Sequence, residues 1–540
     1  MTAMIARTAA TNPVFVLKGV SLRGWHIAAI HIVLIAVVLA PMVIAEYPPL
    51  VDYPNHLARI HILSVLGDDP ILRGIYAANW SLVPNLAMDG MLVPLAKLVP
   101  IHLLGRAFVI LTMAMFIGGT YTLHRVIQGR TGLWPAVMLL FVYNKVLAWG
   151  FLNFLFGAGL YLFAFAGWIW VRERWRWGPR IAVFSGVAVA LFFTHMFALG
   201  IYALSIGGYE LGRSLARRER PWRDHLADWS QSGAQFVLPT ALWVFSATGS
   251  DGSLAIFGGV WSKVIAVASM SIFHDIGVGV MSFFFVLVLV IGGVLTRSFR
   301  LQPTMTMPLI VLGIATLAMP VWLFGSWAVD IRLPPVLAAV AVASVRFERR
   351  RRLFADVMLM LGSTLLVMKL YSIAGMVQRH DRQIDELRAA VAATIPKGAA
   401  LLNAADFPIK DPDFRLEFSQ IYYHPAAYTV IDRSLFLSFL FTDREKQPLT
   451  VTPRYRFMDT PFAHPMPLLH LRRGADPAWS DRMFARRDER GRVYYWAHWP
   501  KLFDYLLVFD RGKHVNPMPR HLTAVRKGSY FAIYKITRGK

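Results

Sequence analysis

Apolar stretches long enough to cross a bilayer recur through the first 373 residues of this 540-residue chain, and no other feature limits its fold as strongly. Hydrocarbon offers a backbone no water to bond, so such segments cross as helices whose hydrogen bonds close internally. Eleven spans fit the pattern, at about 27–45, 102–124, 133–147, 150–171, 180–193, 196–212, 233–248, 277–296, 307–325, 333–346 and 353–373. With the N-terminus inside, 21 Lys and Arg fall in inner loops and six in outer loops. That asymmetry is what the positive-inside rule demands. It also accounts for the net charge of +24, whose cations lie in short loops between spans, and so excludes a nucleic-acid partner. The first span follows Arg7, Lys18 and Arg23 without a small-residue cleavage site, and reads as a retained helix. The chain has no cysteine, which excludes disulfides, thiolate metal sites and Fe–S clusters.

The expected fold is therefore a polytopic α-helical membrane protein of about 11 transmembrane helices. Residues 1–26 form a cytoplasmic N-terminal segment, 27–376 the membrane domain with a long first outer loop at 46–101, and 377–540 a mixed α/β domain outside the membrane. Within 377–540 no span recurs, and strand-like runs stand at Ala399–Leu402, Ala427–Ile431, Leu449–Thr452, Tyr505–Phe509 and Phe531–Ile536. A helix at about 378–394 leads away from the membrane. His424, His464, His470 and His498 lack metal-ligand spacing, and no Walker, dinucleotide-binding, HExxH or GxSxG motif is present.

The charge rule holds only if two long apolar stretches are broken. Residues 180–212 must split at Thr194-His195, and 133–171 near Asn144 to Gly150. Each break leaves a helix of about 14 residues where a full crossing needs about 20. Irregular backbone at that depth is tolerated where it lines a protein-walled cavity. Tyr143, Asn144, Trp149, Asn153, Thr194 and His195 are thus expected to face an outward recess, against the plainer reading of His195 as a satisfied polar residue between helices.

Loop one carries Asp52-Tyr53-Pro54-Asn55-His56, with Arg59 three residues on. Prolines 48, 49 and 54 bar a helix before Pro54, and from Asn55 a helix would put His56 and Arg59 on one face. The rest of the loop is expected as two short helices on the membrane surface, with Asp68-Asp69 as a turn and helix start. A second outer loop, 249–276, includes Asp251 and a further interfacial helix at 260–273. A third, short loop runs Trp327-Ala328-Val329-Asp330-Ile331-Arg332-Leu333-Pro334-Pro335. An acid and a guanidinium at a span boundary are costly without partners. They either pair with each other or aim the arginine at a phosphate.

The Asp52-Tyr53-Pro54-Asn55-His56 stretch, Trp149-Gly150-Phe151-Leu152-Asn153-Phe154, the Arg332-Leu333-Pro334-Pro335 opening of a late span and the outer C-terminal domain together resemble the GT-C superfamily of membrane glycosyltransferases. That superfamily includes the protein O-mannosyltransferases and lipid A aminoarabinose transferases, and the likeness is closest to its uncharacterised bacterial members. The resemblance implies a multi-pass protein of the bacterial inner membrane with a periplasmic C-terminal domain. It implies a polyprenyl-phosphate sugar donor, a glycan, lipid or protein acceptor, Asp52 as the catalytic carboxylate and Arg332 as the arginine on the donor phosphate. Many members carry paired acids where this chain has Asp52-Tyr53, which leaves a bound divalent cation, Mg or Mn, open.

The residue chemistry agrees. Such a transfer needs a base for the acceptor and cationic help for the departing phosphate. Asp52 suits the first and Arg59 and Arg332 the second, with Asn55, His56, Asn153, His195 and Asp330 as substrate-binding candidates. A transporter or flippase of lipid-linked sugars, or a non-catalytic envelope assembly protein, would share much of this pattern.

Overall fold

The computed structural model describes residues 15–17, 20–22, 24–130, 132–246, 255–406, 419–460, 465–484, 486 and 494–538. Asp251 and His464 lie outside them. The helical part opens with α1 (Gly24–Ile44), and the first loop then holds α2 (Tyr53–Val65), α3 (Pro70–Ile75) and α4 (Ala87–Leu95). There follow α5 (Ile101–Gln128), α6 (Lys145–Trp149), α7 (Leu152–Val171), α8 (Trp177–Thr194), α9 (Met196–Ala216), α10 (Trp222–Ala234) and α11 (Val237–Val244). After them come α12 (Val260–Ala268), α13 (Ile276–Leu295), α14 (Thr306–Ala318), α15 (Leu333–Ser344), α16 (Arg352–Thr394) and α17 (Ala426–Arg433). Six of these, α1, α5, α7, α8, α13 and α16, have the length and apolar character to cross a membrane.

The remaining expected spans lie on shorter, interrupted or more polar helices. Residues 134–141 form a 3-10 run, and α6 follows only after a break at Asn144. The stretch 233–248 is divided between the end of α10 and α11. The span expected at 307–325 stops at Ala318, because Pro320 forces Met319 into extended backbone (ψ 128°), and a small hairpin of Trp322–Leu323 with Ser326–Trp327 follows. The polar C-terminal turns of α9 carry Glu210 and Arg213. Glu210 is buried against Arg172, at 2.6 Å.

Both expected breaks occur. His195 stands between α8 and α9 in extended backbone (φ −171°, ψ 127°), and its ring caps α9 by accepting from Phe197 N–H at 3.2 Å. Asn144 caps α6 by accepting from Leu147 N–H, and Gly150 ends α6 at φ +79°. The exposed carbonyls of α6 then find partners in loop one. Val51 N–H donates to Ala148 at 2.9 Å and Asp52 N–H to Trp149 at 3.0 Å. Gly150 is required here twice over, by its backbone angle and by space, since a Cβ would lie 3.0 Å from Asp52 N and 3.1 Å from Tyr53 N.

The helix that carries the Asp52–Arg59 stretch of loop one is covered by protein. Ten of the thirteen residues of α2 are buried. The cover is α17, where a strand was expected at Ala427–Ile431. A short apolar run leaves period ambiguous, and here Pro425 opens a helix whose buried face, Ala426 to Val430, packs on α2 and α16. Asp69 does start a helix, accepting from Ile71 N–H and Leu72 N–H. The run Leu449–Val451 is a strand, but it pairs antiparallel with Tyr76–Ala78 of loop one.

The C-terminal region is built on a mixed sheet. Ala400–Ala405, buried along its whole length, runs parallel to Tyr505–Phe509 on one side and to Phe436–Leu437 and Met466–Pro467 on the other. Burial on both faces agrees with its mostly apolar sequence, which Asn403 alone interrupts. Phe531–Ile536 pairs antiparallel with Tyr505–Phe509, and Leu522–Lys527 closes that edge with Arg526 and Lys527 outward. The 43-residue α16 joins this region to the apolar helices and runs unbroken through 376/377.

Replacing Gly150 with Ala should cost about 1–3 kcal/mol in strained backbone and displace the Asp52 backbone. A lower unfolding temperature of the purified protein would report it. An unchanged melt would show that α6 and loop one adjust freely.

Candidate active site

Loop one enters the site along the carbonyls of α6 and turns into α2 at Asp52. Asp52 C=O accepts the first helical bond, from His56 N–H at 3.1 Å, yet its carboxylate makes no capping bond. Pro54 occupies the first turn, where its missing N–H costs nothing. The carboxylate is therefore turned away from its own helix, and 17% of the side chain stays exposed.

Around it stand three basic groups from three parts of the chain. The first is His424, whose Nε2 lies 3.6 Å from Asp52 Oδ1. Its tautomer follows from Asn55. The Asn55 amide nitrogen donates to Phe439 C=O at 2.9 Å, which fixes the amide orientation, and the same nitrogen lies 3.1 Å from His424 Nδ1. Nδ1 thus accepts, and in the neutral ring the proton sits on Nε2, facing Asp52.

The second is Arg332, which precedes α15. Its Nη2 donates to Trp327 C=O at 3.1 Å and its Nε to Ala328 C=O at 3.3 Å, while Nη1 meets His195 Nε2 at 3.1 Å. The guanidinium lies over the Phe151 ring at 4.5 Å, with Phe197 at 5.4 Å and Phe154 at 5.8 Å. Arg332 is buried, yet among the described residues no carboxylate comes within 4 Å of it. Asp52 is the acid whose charge acts on it. Asp330 is buried too, but the cation acting on that carboxylate is Lys263, so the two neighbours do not form the pair considered from sequence.

The third is Arg59. It forms a fully buried two-pronged pair with Asp89 of α4, Nε to Oδ1 at 2.7 Å and Nη2 to Oδ2 at 2.8 Å. Its Nη2 also reaches His56 Nδ1 at 3.1 Å, so the proton of a neutral His56 is on Nε2. Burial holds the His56 imidazole well below its ordinary value, and Arg59 and His424 push the same way. Asn153 serves this pair at one remove. Its amide accepts from Met88 N–H at 2.8 Å and donates to Asn85 C=O at 2.7 Å, fixing the turn that delivers Asp89.

Burial pushes the Asp52 carboxyl up to about 7, against the opposing pull of Arg332 and Arg59. The structure thus gathers Asp52, Asn55, His56, Arg59, His195 and Arg332 at one locus. Tyr143 and Asn144 are spent on backbone, the phenol donating to Val38 C=O and the amide to Phe141 C=O. Two participants were missed from sequence. Asp89 looked like a lone acid in a short apolar segment, and only a buried arginine at a distance explains it. His424 was weighed solely as a metal ligand, and nothing local links it to a residue 372 positions earlier. Among the described residues no group of three or more His, Asp or Glu side chains forms a metal-binding set. Compared with known families, curated proteins and solved structures, the chain matches none.

Two measurements follow from this geometry. Asp89→Ala leaves Arg59 buried without its acid and should cost about 3–5 kcal/mol, whereas Arg59→Leu with Asp89→Leu should cost far less. Equal losses in thermal melts of the single and double variants would contradict a paired charge. For Asp52, a folded value near 7 against about 3.9 unfolded means the folded state binds the extra proton between those pH values. Its contribution to stability therefore falls as pH rises from about 4 to 7. Asp52→Asn should raise the melting temperature at pH 8 and leave it unchanged at pH 4.

Proposed function

We propose that this chain is a GT-C-type membrane glycosyltransferase that moves a sugar from a polyprenyl-phosphate donor to an acceptor outside the membrane. In this reading the chain crosses the bacterial inner membrane about eleven times, and the C-terminal region is periplasmic. The observation that carries it is Arg332, a buried guanidinium beside Asp52 with no carboxylate within 4 Å among the described residues. A buried charge calls for a partner, and a ligand phosphate supplies one that a guanidinium can grip. Arg59 is already neutralised by Asp89, so the donor phosphate falls to Arg332.

The reaction then runs as a single displacement. Asp52 takes the proton of the acceptor hydroxyl or amine, the acceptor atom bonds to the anomeric carbon, and the bond from that carbon to the phosphate oxygen breaks. Polyprenyl phosphate leaves with its charge against Arg332, and the anomeric configuration inverts. His424 Nε2–H faces one oxygen of Asp52 at 3.6 Å, leaving the other for the acceptor. His56 and His195 stand beside the acid and the guanidinium, His56 against Arg59 and His195 against Arg332. One carboxylate facing two guanidiniums is poor in the anionic oxygens that Mg or Mn takes.

The test is mass spectrometry of polyprenyl-phosphate lipids and envelope glycans from cells lacking the protein, complemented by wild type or by Asp52→Asn. One lipid-linked sugar should accumulate, one glycan should lose that sugar, and only wild type should restore it. Asp52→Asn should fall by at least about 100-fold in rate, and wild-type activity should rise with pH through about 7 as Asp52 loses its proton. Full complementation by Asp52→Asn would favour a transporter or an envelope assembly protein.

A further inference from the structure

Asp52 lies by the N-terminal ends of α5 and α15, where Tyr53 crowds Gly105 and Arg332 precedes Leu333. At the opposite ends of these helices a cavity of about 270 Å³ opens between α1, α5, α13 and α16. Small-molecule pockets run from about 300 Å³ upward, so this is a narrow slot for part of a ligand. Its floor is apolar, built from Leu140, Phe285, Leu289 and Met358, which form a cluster separate from the main core. Trp134 walls one end, stacked on Phe347 with ring centres 5.6 Å apart and planes 8° from parallel.

The mouth is cationic. Arg130, Arg346 and Arg349 line it, with Asp356 as the one acid. Arg349 is paired with Asp356. Arg346 lies 4.0 Å from Glu348, which is shared with Arg300 at 2.9 Å and Arg350 at 3.3 Å. Arg130 is exposed and has no ion-pair partner among the described residues. Three guanidiniums and one carboxylate thus line the entrance of an oily slot, with Glu348 behind Arg346. The outward faces of the two helices beside it, with Leu287, Ile291, Leu359 and Met360 exposed, suit a lipid environment. The charge bias of the loops assigns this end to the inner side, where anionic lipids draw cations.

We propose that this slot binds a lipid with a net anionic phosphate headgroup, its chain along Phe285 and Leu289 and its phosphate between Arg130 and Arg346. An apolar floor selects a chain, and the arginines select charge over a zwitterion. The site is distinct from Asp52 and does not depend on the transfer chemistry.

Native mass spectrometry of the purified full chain tests this, with the protein exchanged into micelles containing phosphatidylglycerol or phosphatidylcholine. Wild type should retain one phosphatidylglycerol at least about tenfold over phosphatidylcholine, a ratio worth about 1.4 kcal/mol. Arg130→Gln with Arg346→Gln should erase the preference. Ser363→Trp, at an exposed position of the lining, should block retention of both lipids while the protein melts normally. Millimolar glycerol 3-phosphate should not displace the lipid. Equal retention of both lipids by wild type, a preference that survives either variant, or displacement by glycerol 3-phosphate would each overturn the proposal.

Discussion

A broken helix leaves carbonyls that must find donors, and in an apolar setting those donors come from the protein itself. The end of α6 shows the consequence. Ala148 and Trp149 accept from Val51 and Asp52, and the bare Gly150 lets the two backbones touch. The acid is held where it is because a helix had to be terminated there. The second break works the same way at His195, whose ring caps α9 and meets Arg332. The two interruptions therefore set the positions of the acid and the guanidinium on which the chemistry would turn.

A second layer fixes α2 from behind. Arg59 and Asp89 are buried together, and Asn153 holds the turn that presents Asp89. Replacing a buried ion pair by apolar residues often costs little, so its value here lies in geometry. It sets the rotation of α2, and with it the direction of His56 and Asn55. Asn55 in turn selects the His424 tautomer through an amide anchored on Phe439. The network is not closed, since Asn55 Oδ1 and Arg59 Nη1 are buried without a hydrogen-bond partner among the described residues.

What could be read from the sequence was local. Length and apolarity located the long helices, loop charge demanded the breaks near Gly150 and at His195, and proline placed the start of α2. What could not be read was non-local. Leu449–Val451 is a strand, but its partner Tyr76–Ala78 lies over 370 residues away in the chain. Ala427–Ile431 carries a pattern that suits strand or helix, and packing against α2 and α16 decided it. His424 and Asp89 gain meaning only from side chains that approach them in space. Short apolar segments were harder still, since proline and 3-10 backbone cut helices that hydropathy alone extends, as at Ala318 and Trp134.

The 43 residues of α16, at about 1.5 Å each, make a rod of about 65 Å without a hinge. Its far half grips the first loop directly. Asp381 accepts from Glu46 N–H at 3.0 Å and Tyr47 N–H at 2.9 Å, and Arg388 donates to the Tyr47 hydroxyl while it clamps Asp432 of α17 at 2.6 Å. Tyr47 stands five residues before Asp52. A rod anchored this way acts as a lever. A change in tilt of its apolar half would be delivered to the stem of the segment that carries the acid, which ties the far end of the rod to the geometry of the site.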